Sequence, residues 1–399
     1  MAVIPEKPII GASPRPSVGL YVHVPFCETK CGYCDFYSVA LQGRKTRPLV
    51  DALCTELSIR VAKADHRIRT VFIGGGTPTL LPAEELGLLL SSIGQCASVG
   101  ELDEFTVEAN PATVDDEKAA LLVARGVTRV SMGAQSFIPS ELATLERLHS
   151  PDDILPSIRT LEKAGVRHLN LDLIFGIPGQ SLATWGESLD RTIALGPDHI
   201  ACYGLTYEPA TAMTARRDRG LLATCDEDLE SEMYLYAIET LSSAGFHQYE
   251  ISNFARPGCE SRHNLVYWRN EPYVGVGPSA AGCYERRRYK NVPEVTRYVR
   301  MMAEERSAEI ESEILDDEKV ALEIILMQLR LNEGLSLIAF EELTGSTFGA
   351  AFGLAGPDMK RRGLLEMTPT HVRLSAQGRL VANRVISELA ESLGTLQGA

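Results

Sequence analysis

A cysteine triplet near the start of the chain limits which folds and chemistries fit this sequence. It consists of Cys27, Cys31 and Cys34 in the spacing CxxxCxxC, directly after an apolar run, residues 20–24, that predicts a β-strand. Cubane iron–sulfur clusters are usually held by four thiolates, whereas this loop supplies three and no fourth cysteine lies at a usable distance. The triplet therefore predicts a [4Fe-4S] cluster whose remaining iron is open to a second ligand.

Zinc is the alternative occupant of this loop. Three cysteines and a histidine can form a closed tetrahedral site, and His23 lies close in the sequence. Structural zinc ligands usually come as two separated pairs, whereas this triplet stands alone and Cys54 falls in a helical pattern. The spacing favours the cluster over zinc or plain reduced thiols, and His23 is expected to orient the loop.

The remaining cysteines and the termini indicate a cytoplasmic protein. The nine cysteines are an odd number and, apart from the triplet, are scattered singly, which is typical of reduced thiols rather than of a disulfide framework. No run approaches the ~20 apolar residues of a membrane span, so no integral membrane segment is expected. Residues 1–17 are interrupted by prolines, which predicts a flexible lead rather than a signal peptide.

The charge balance argues against nucleic acid as a partner. The formal net charge is −14, because 53 Asp and Glu outnumber 39 Lys and Arg. Binding to phosphate backbones depends on an excess of lysine and arginine. A large, nonspecific nucleic-acid surface is therefore disfavoured.

The segment around the triplet resembles a known superfamily. Tyr33 precedes the last cysteine, and the run from Tyr21 to Cys27 reads Tyr-Val-His-Val-Pro-Phe-Cys. This pattern is similar to that of the radical S-adenosylmethionine (SAM) superfamily, in particular the branch with oxygen-independent coproporphyrinogen III oxidase and the haem chaperones. The resemblance implies that SAM chelates the open iron through its methionine moiety and is cleaved to a 5′-deoxyadenosyl radical.

Short β-rich runs alternate with helical patterns at a spacing of about thirty residues, which predicts βα units and a parallel sheet. The predicted strands are residues 20–24, 70–73, 105–108, 129–132, 168–173 and 199–203, and the main helical candidates are 48–64, 83–96, 115–124, 154–164 and 182–194. Six units are fewer than the eight of a closed barrel. The resemblance implies a partial, open (β/α)6 TIM-like barrel.

The alternation ends near residue 291, where a second unit is expected. Residues 316–331 show the apolar stripe of one amphipathic helix. A hairpin-like stretch, residues 365–374, and a last helical stretch, residues 375–393, follow. We expect three parts: a lead (1–17), the barrel (18–290) and a smaller C-terminal helical domain with a wing (291–399).

Polar residues and glycines follow the predicted strands, where parallel βα folds bind their ligands. Glu108 and Asp172 are carboxylates that can accept the hydroxyls of a ribose, Gln135 offers an amide, and the Arg147 guanidinium suits a carboxylate. The glycine turn at 74–76 lets a ligand approach the backbone. The resemblance implies that SAM is bound by Tyr21, Gly75, Gly76, Thr77, Glu108, Gln135, Arg147 and Asp172.

Two features separate the chaperones from the oxidase. The oxidase has a further cysteine two positions after the triplet, whereas here Asp35 and Phe36 follow Cys34. The segment Arg262-His-Asn-Leu-Val-Tyr-Trp268 resembles the HNxxYW signature of the chaperones. Imidazole is a common haem ligand and aromatic rings can stack beside a porphyrin, and the resemblance implies that His263, Tyr267 and Trp268 hold haem. A packing motif is the alternative from residue types alone.

The resemblance thus implies a haem chaperone that carries a [4Fe-4S] cluster, binds SAM and haem, and delivers haem to apo-haemoproteins such as respiratory enzymes. The alternative is a radical enzyme acting on a tetrapyrrole, as the oxidase does. Radical modification of RNA is disfavoured by the charge. Whether the chain acts as an enzyme or forms a homodimer stays open.

Overall fold

The computed structural model describes residues 16–61 and 66–394 and has at its centre six parallel strands in chain order. The strands are β1 (Ser17–Val24), β2 (Arg67–Gly75), β3 (Glu104–Ala109), β4 (Arg129–Gln135), β5 (His168–Phe175) and β6 (His199–Gly204). Each predicted strand lies within an observed one. The predicted partial, open α/β barrel is confirmed.

Helices connect the strands and cover the outside of the sheet. They are Arg47–Glu56, Ala83–Cys96, Asp116–Ala124, Pro139–Thr144, Ile154–Ala164, Leu182–Ala194, Ala212–Asp218 and Glu227–Ser243, with single 3₁₀ turns at Pro78–Leu80, Val99–Glu101 and Pro151–Asp153. The predicted helix at 48–64 changes to a π-helical turn at Leu57–Val61. Residues 62–64 of that prediction, and residues 1–15 of the predicted lead, lie outside the described residues.

The sheet continues beyond the six predicted strands at both edges. Tyr273–Val276 pairs in parallel with β1, and Ala281–Tyr284, Arg287–Asn291 and Glu309–Ile314 extend that edge in antiparallel fashion. At the other edge, Asn253–Ala255 pairs antiparallel with β6, followed by His247–Gln248. In the part of the chain that the structure describes, no pairing joins the two edges, so the barrel is open. Short strands at Phe26–Cys27 and Val39–Ala40 form a separate pair in the cysteine loop.

A smaller C-terminal unit has its own hydrophobic core. Its helices are Asp317–Gln328, Leu337–Thr344, Phe348–Phe352, Ala355–Arg361, Ala376–Leu380 and Ala382–Glu391, and its strands are Leu335–Ser336, Leu365–Met367 and His371–Leu374. The last two strands form the predicted hairpin. The helical stretch predicted at 375–393 is two helices, because the backbone leaves the helical conformation at Val381 (φ −124°, ψ 31°).

The hydrophobic packing indicates where the two units divide. Val292, Tyr298 and Ala308 belong to the barrel core, whereas the second core begins at Ala321. Helix Val295–Ala303 lies between the strands that extend the barrel sheet. We therefore propose a boundary near residue 315 in place of 290. None of the helices among the described residues is long and apolar enough to cross a membrane.

A buried carboxylate, Glu56, holds the first barrel helix against the extended edge of the sheet. It accepts hydrogen bonds from the Gly277 amide (2.8 Å), the Asn291 amide group (2.8 Å) and the Tyr298 hydroxyl (2.6 Å). Arg60 lies 3.0 Å from the same carboxylate and offsets its charge. The Glu56 side chain thus accepts hydrogen bonds from three donors that lie in the extended edge of the sheet beside β1.

We expect Glu56→Ala to lower the free energy of unfolding by about 3–5 kcal/mol, because it leaves the buried Gly277 amide and Tyr298 hydroxyl without their acceptor. Urea unfolding followed by circular dichroism measures the change. Glu84→Ala is the control, because the Glu84 side chain is 88% exposed and its loss is expected to change stability by no more than about 0.5 kcal/mol. Equal stabilities of the two variants would contradict this prediction.

Candidate functional site

The carboxyl ends of the barrel strands open into a cavity of about 710 Å³. Its wall is built by the cysteine loop, the glycine turn after β2 and the ends of β3 to β6. Ten residues singled out in the sequence line it: Cys27, Cys31, Cys34, Gly75, Gly76, Thr77, Glu108, Gln135, Arg147 and Asp172. The expected convergence of these side chains at one end of the sheet is therefore observed.

The three thiols of the cysteine loop all line the cavity, and none of them is in a disulfide. Burial raises the pKa of Cys27, and raises that of Cys34 to about 11, with the neighbouring thiols adding to both shifts. Bound metal would supply the positive charge that thiolates require at neutral pH.

The glycine turn is fixed against the start of the cysteine loop. The Gly76 amide donates to the Val24 carbonyl (2.9 Å) and the Thr77 amide donates to the Phe26 carbonyl (2.7 Å). A Cβ on Gly76 would lie 2.5 Å from that Phe26 oxygen. Gly75 has a φ of +101° and faces the His23 ring. Both glycines are therefore required by packing, in addition to lining the cavity.

Asn110, which sequence reasoning did not select, connects the parts of the site. Its amide nitrogen donates to the Thr77 hydroxyl at 2.6 Å, and its oxygen accepts from Arg147. The Arg147 guanidinium also donates to the Gly133 carbonyl (3.0 Å) and lies 3.7 Å from the Cys31 sulfur. Asn110 could have been selected from the sequence, because it stands in the same strand-end segment, Val-Glu-Ala-Asn-Pro, that indicated Glu108.

The two predicted carboxylates carry raised pKa values. Burial raises the pKa of Glu108 to about 8, and the charge of Asp172 adds to the shift although the Gly75 amide donates to Glu108 at 2.9 Å. Burial likewise raises the pKa of Asp172 to about 6, against the opposing effect of the Asn170 amide, which donates to it at 2.7 Å. A ligand with hydroxyl donors and a positive charge suits this pair.

Tyr21 does not line the cavity. Its hydroxyl is hydrogen-bonded to His23 Nδ1 at 2.8 Å, and its ring packs against Phe72. His23 Nε2 donates to the Tyr37 carbonyl at 2.9 Å, so His23 ties β1 to the far end of the cysteine loop. These contacts agree with the expectation that His23 orients the cysteine loop. Tyr21 holds the His23 ring through the hydrogen bond to Nδ1.

The helix Arg262–Trp268, which contains the HNxxYW segment, closes the amino-terminal end of the barrel, opposite the cysteine loop. Glu104 at the start of β3 accepts from the Arg262 and His263 amides at 3.1 and 3.0 Å. Its carboxylate also forms a buried ion pair with Arg129 (3.0 Å) and accepts from the Ser261 hydroxyl (3.1 Å). The helix Arg262–Trp268 thus forms the floor of the barrel, and we call it the floor helix. Polar contacts hold it against the starts of the strands.

His263 is fully buried in this floor. Its Nδ1 is hydrogen-bonded to the Thr70 hydroxyl and its Nε2 to the Tyr267 hydroxyl, both at 2.9 Å. The ring stacks on Phe72 with centroids 5.3 Å apart. Because both ring nitrogens are engaged, this arrangement does not present His263 to a haem iron. It has the geometry of the packing alternative, and Trp268 at the end of the helix is half-buried.

Comparison with known proteins agrees with this architecture. A family model of the radical SAM superfamily matches residues 21–192, and one of the HemN C-terminal domain matches residues 315–381. The heme chaperone HemW of Bacillus subtilis is 35% identical over 367 residues, which cover 92% of this chain and 97% of that protein. HemW of Mycobacterium tuberculosis is 38% identical over 388 residues, covering 96% and 97%. The chain belongs to the HemW family.

A solved structure shows the same fold. Coproporphyrinogen III oxidase (HemN) from Escherichia coli, described as a radical SAM enzyme, superimposes with a TM-score of 0.81 over 95% of this chain and 91% of its own, at 22% identity. The HemW family thus shares its radical SAM fold with an oxidase, and membership of the superfamily implies a [4Fe-4S] cluster and SAM. The cysteine triplet and the cavity are compatible with both the HemW family and the oxidase.

The raised pKa of Glu108 predicts how stability depends on pH in protein without SAM. Its stabilising contribution is complete below the unfolded-state pKa of about 4.3 and is lost as the pH rises through the folded-state value, which is about 8. We therefore expect Glu108→Gln to gain stability relative to wild type between about pH 5 and pH 9. Urea unfolding across that range measures it. Glu84→Gln is the exposed control, and a difference from wild type that is independent of pH would argue against the prediction.

Proposed function

We propose that the protein is a cytoplasmic haem chaperone that carries a [4Fe-4S] cluster on Cys27, Cys31 and Cys34, binds SAM and haem, and delivers haem to apo-haemoproteins such as respiratory enzymes. The observation that carries the proposal is the identity with proteins named heme chaperone HemW over almost the whole chain. Asp35 and Phe36, which follow the triplet in place of a further cysteine, support the chaperone over an oxidase.

The cavity supports a role for each predicted SAM contact. The Arg147 guanidinium contacts the sulfur of Cys31 in the cysteine loop. A guanidinium in this place is suited to the carboxylate of SAM. Glu108 and Asp172 would accept the ribose hydroxyls, with Gln135 beside them in the cavity wall. The glycine turn at 74–76, with Thr77, would lie along the ligand. Tyr21 would contribute through His23, which holds the cysteine loop.

We propose that haem enters the cavity from its mouth rather than at the floor helix. Phe36 and Leu148 line the mouth and are 68% and 62% exposed, so they offer apolar surface to a porphyrin ring. His263 would have to give up a hydrogen bond to Thr70 or Tyr267 before it could bind iron. In our proposal, His263, Tyr267 and Trp268 therefore act on haem indirectly, by holding the floor.

The alternative is radical chemistry on a tetrapyrrole. Its structural support is the fold shared with the oxidase, which at 22% identity bears on architecture alone. We assign no catalytic residue, because none of the cavity residues has a role that requires turnover of SAM. A homodimer would require a self-complementary surface, and the proposal does not depend on one.

We expect Cys31→Ala to lose almost all cluster iron after anaerobic reconstitution, because two thiolates are too few to retain a cubane with an open iron. Iron and sulfide analysis with the visible absorption spectrum measures the loss. Cys54→Ala is the matched control, because Cys54 lies in helix Arg47–Glu56 outside the cavity. Full iron content in Cys31→Ala, or zinc in place of iron in wild type, would refute the cluster assignment.

Haem transfer tests the function itself. We expect haem-loaded protein to restore an apo-haemoprotein acceptor faster than free haem at the same concentration, followed by the acceptor's Soret band. Serum albumin loaded with haem is the control for nonspecific release. A rate no greater than that of free haem would refute the chaperone role.

A parallel anaerobic incubation with coproporphyrinogen III, SAM and a reductant tests the alternative. Because a chaperone is not expected to decarboxylate the tetrapyrrole, we expect no vinyl-bearing product. Cys31→Ala is the control for cluster-dependent chemistry. Formation of vinyl groups by wild type, but not by this variant, would favour the oxidase-like function.

A further inference from the structure

The amino-terminal end of the barrel carries a second group of metal-binding side chains, remote from the cysteine loop. His168 begins β5, Asp198 immediately precedes β6, and Cys259 lies in the segment that leads into the floor helix. One ligand atom from each lies within 4.8 Å of the other two. We propose that these three residues form a site for a single borderline-soft divalent metal ion of the zinc class.

The distances fit a single ion. Tetrahedral zinc has bonds of about 2.0–2.3 Å to nitrogen, oxygen and sulfur, which places ligand atoms about 3.3–3.6 Å apart. His168 Nδ1 already lies 3.4 Å from Asp198 Oδ2. The Cys259 sulfur lies within 4.8 Å of a ligand atom of each of the other two residues, so a metal ion would draw the three ligand atoms closer together.

The donor types suit the same metal class. Imidazole, carboxylate and thiolate are the three ligands that zinc takes in proteins. His168 Nδ1 is buried at the atomic level and, among the described residues, has no hydrogen bond of good geometry. The three side chains are only partly buried. Solvent can therefore supply the fourth ligand of a tetrahedral ion.

The backbone around the group is already fixed. The His168 amide donates to the Thr128 carbonyl (3.0 Å), and the Asp198 amide donates to the Leu169 carbonyl (3.1 Å). Arg256 joins the other two ligands, since its amide donates to the Asp198 carbonyl and its carbonyl accepts from the Cys259 amide, both at 2.9 Å. A site built on fixed backbone loses little entropy when metal binds.

The charges near the thiol explain why metal is needed for the thiolate. Burial and the Asp198 carboxylate raise the pKa of Cys259, whereas Arg129 and Arg256 oppose them. A divalent ion between the carboxylate and the sulfur would displace the thiol proton to solvent, with the lone pair of sulfur forming the new bond. The charges of the ion and of the two anionic ligands then cancel.

Occupation of the site would stabilise the floor of the barrel. Cys259 lies two residues before Ser261, which caps helix Arg262–Trp268. The Arg129 guanidinium donates to the Cys259 carbonyl at 2.8 Å while pairing with Glu104. A metal bound here would fasten the entry of this helix to the starts of β5 and β6.

Zinc binding by full-length protein, reconstituted with its cluster, tests the site by anaerobic calorimetry. We expect one equivalent of Zn²⁺ to bind wild type and to raise its melting temperature, since a ligand of the folded state alone stabilises it. Cys259→Ser and His168→Gln are expected to weaken binding at least tenfold. Cys225→Ser, another partly buried cysteine outside this group, is the matched control and should bind as wild type does.

Cobalt substitution supplies the readout that separates this site from the cluster loop. In the triple variant Cys27→Ala, Cys31→Ala, Cys34→Ala, we expect Co²⁺ to give a thiolate charge-transfer band that disappears when Cys259→Ser is added. Circular dichroism confirms that each variant is folded. Zinc binding by Cys259→Ser equal to wild type, absence of a Cys259-dependent cobalt band, or no zinc binding by wild type would each overturn the proposal.

Discussion

The pairing of β1 with β2 beyond the ends of both strands is the constraint on which the site depends. Parallel pairing alone would bring the cysteine loop and the glycine turn to the same edge of the sheet. The bonds from Gly76 and Thr77 to the backbone between Val24 and Phe26 fix their separation as well. Gly76 permits this approach because it has no Cβ. The backbone that leads into the cysteine loop is therefore positioned by these hydrogen bonds.

Polar side chains connect the glycine turn to the rest of the cavity. Asn110 links Thr77 to Arg147, and Arg147 reaches Cys31. Substitution of Asn110 or Thr77 would remove a contact from the chain that holds the guanidinium beside the cysteine loop. The buried carboxylates further along the sheet carry a cost, visible in the raised pKa values of Glu108 and Asp172, which is typical of groups placed for a ligand rather than for stability.

Periodicity predicted the six barrel strands and most of the helices between them because each βα unit buries its own apolar pattern. The extension of the sheet at 273–314 was not predicted, since these strands pair at an edge and alternate less clearly. The π-helical turn at Leu57–Val61 and the break at Val381 depend on tertiary packing. Asn110 could have been found from its strand-end position, whereas the Glu104 contacts of the floor helix join segments about 160 residues apart in sequence.

His263 shows why a motif can identify a family without giving the role of each residue in it. The HNxxYW segment indicates the family by its residue types, but the same residue types also suit a packed helix. In the structure, the His263 ring is hydrogen-bonded between Thr70 and Tyr267. A buried histidine with two hydrogen bonds contributes to a fixed geometry, and burial lowers the pKa of His263 to about 4, which favours its neutral form. To coordinate iron it would have to break one bond and leave a hydroxyl unpaired. In our proposal, the motif therefore acts on haem only through the shape of the barrel floor.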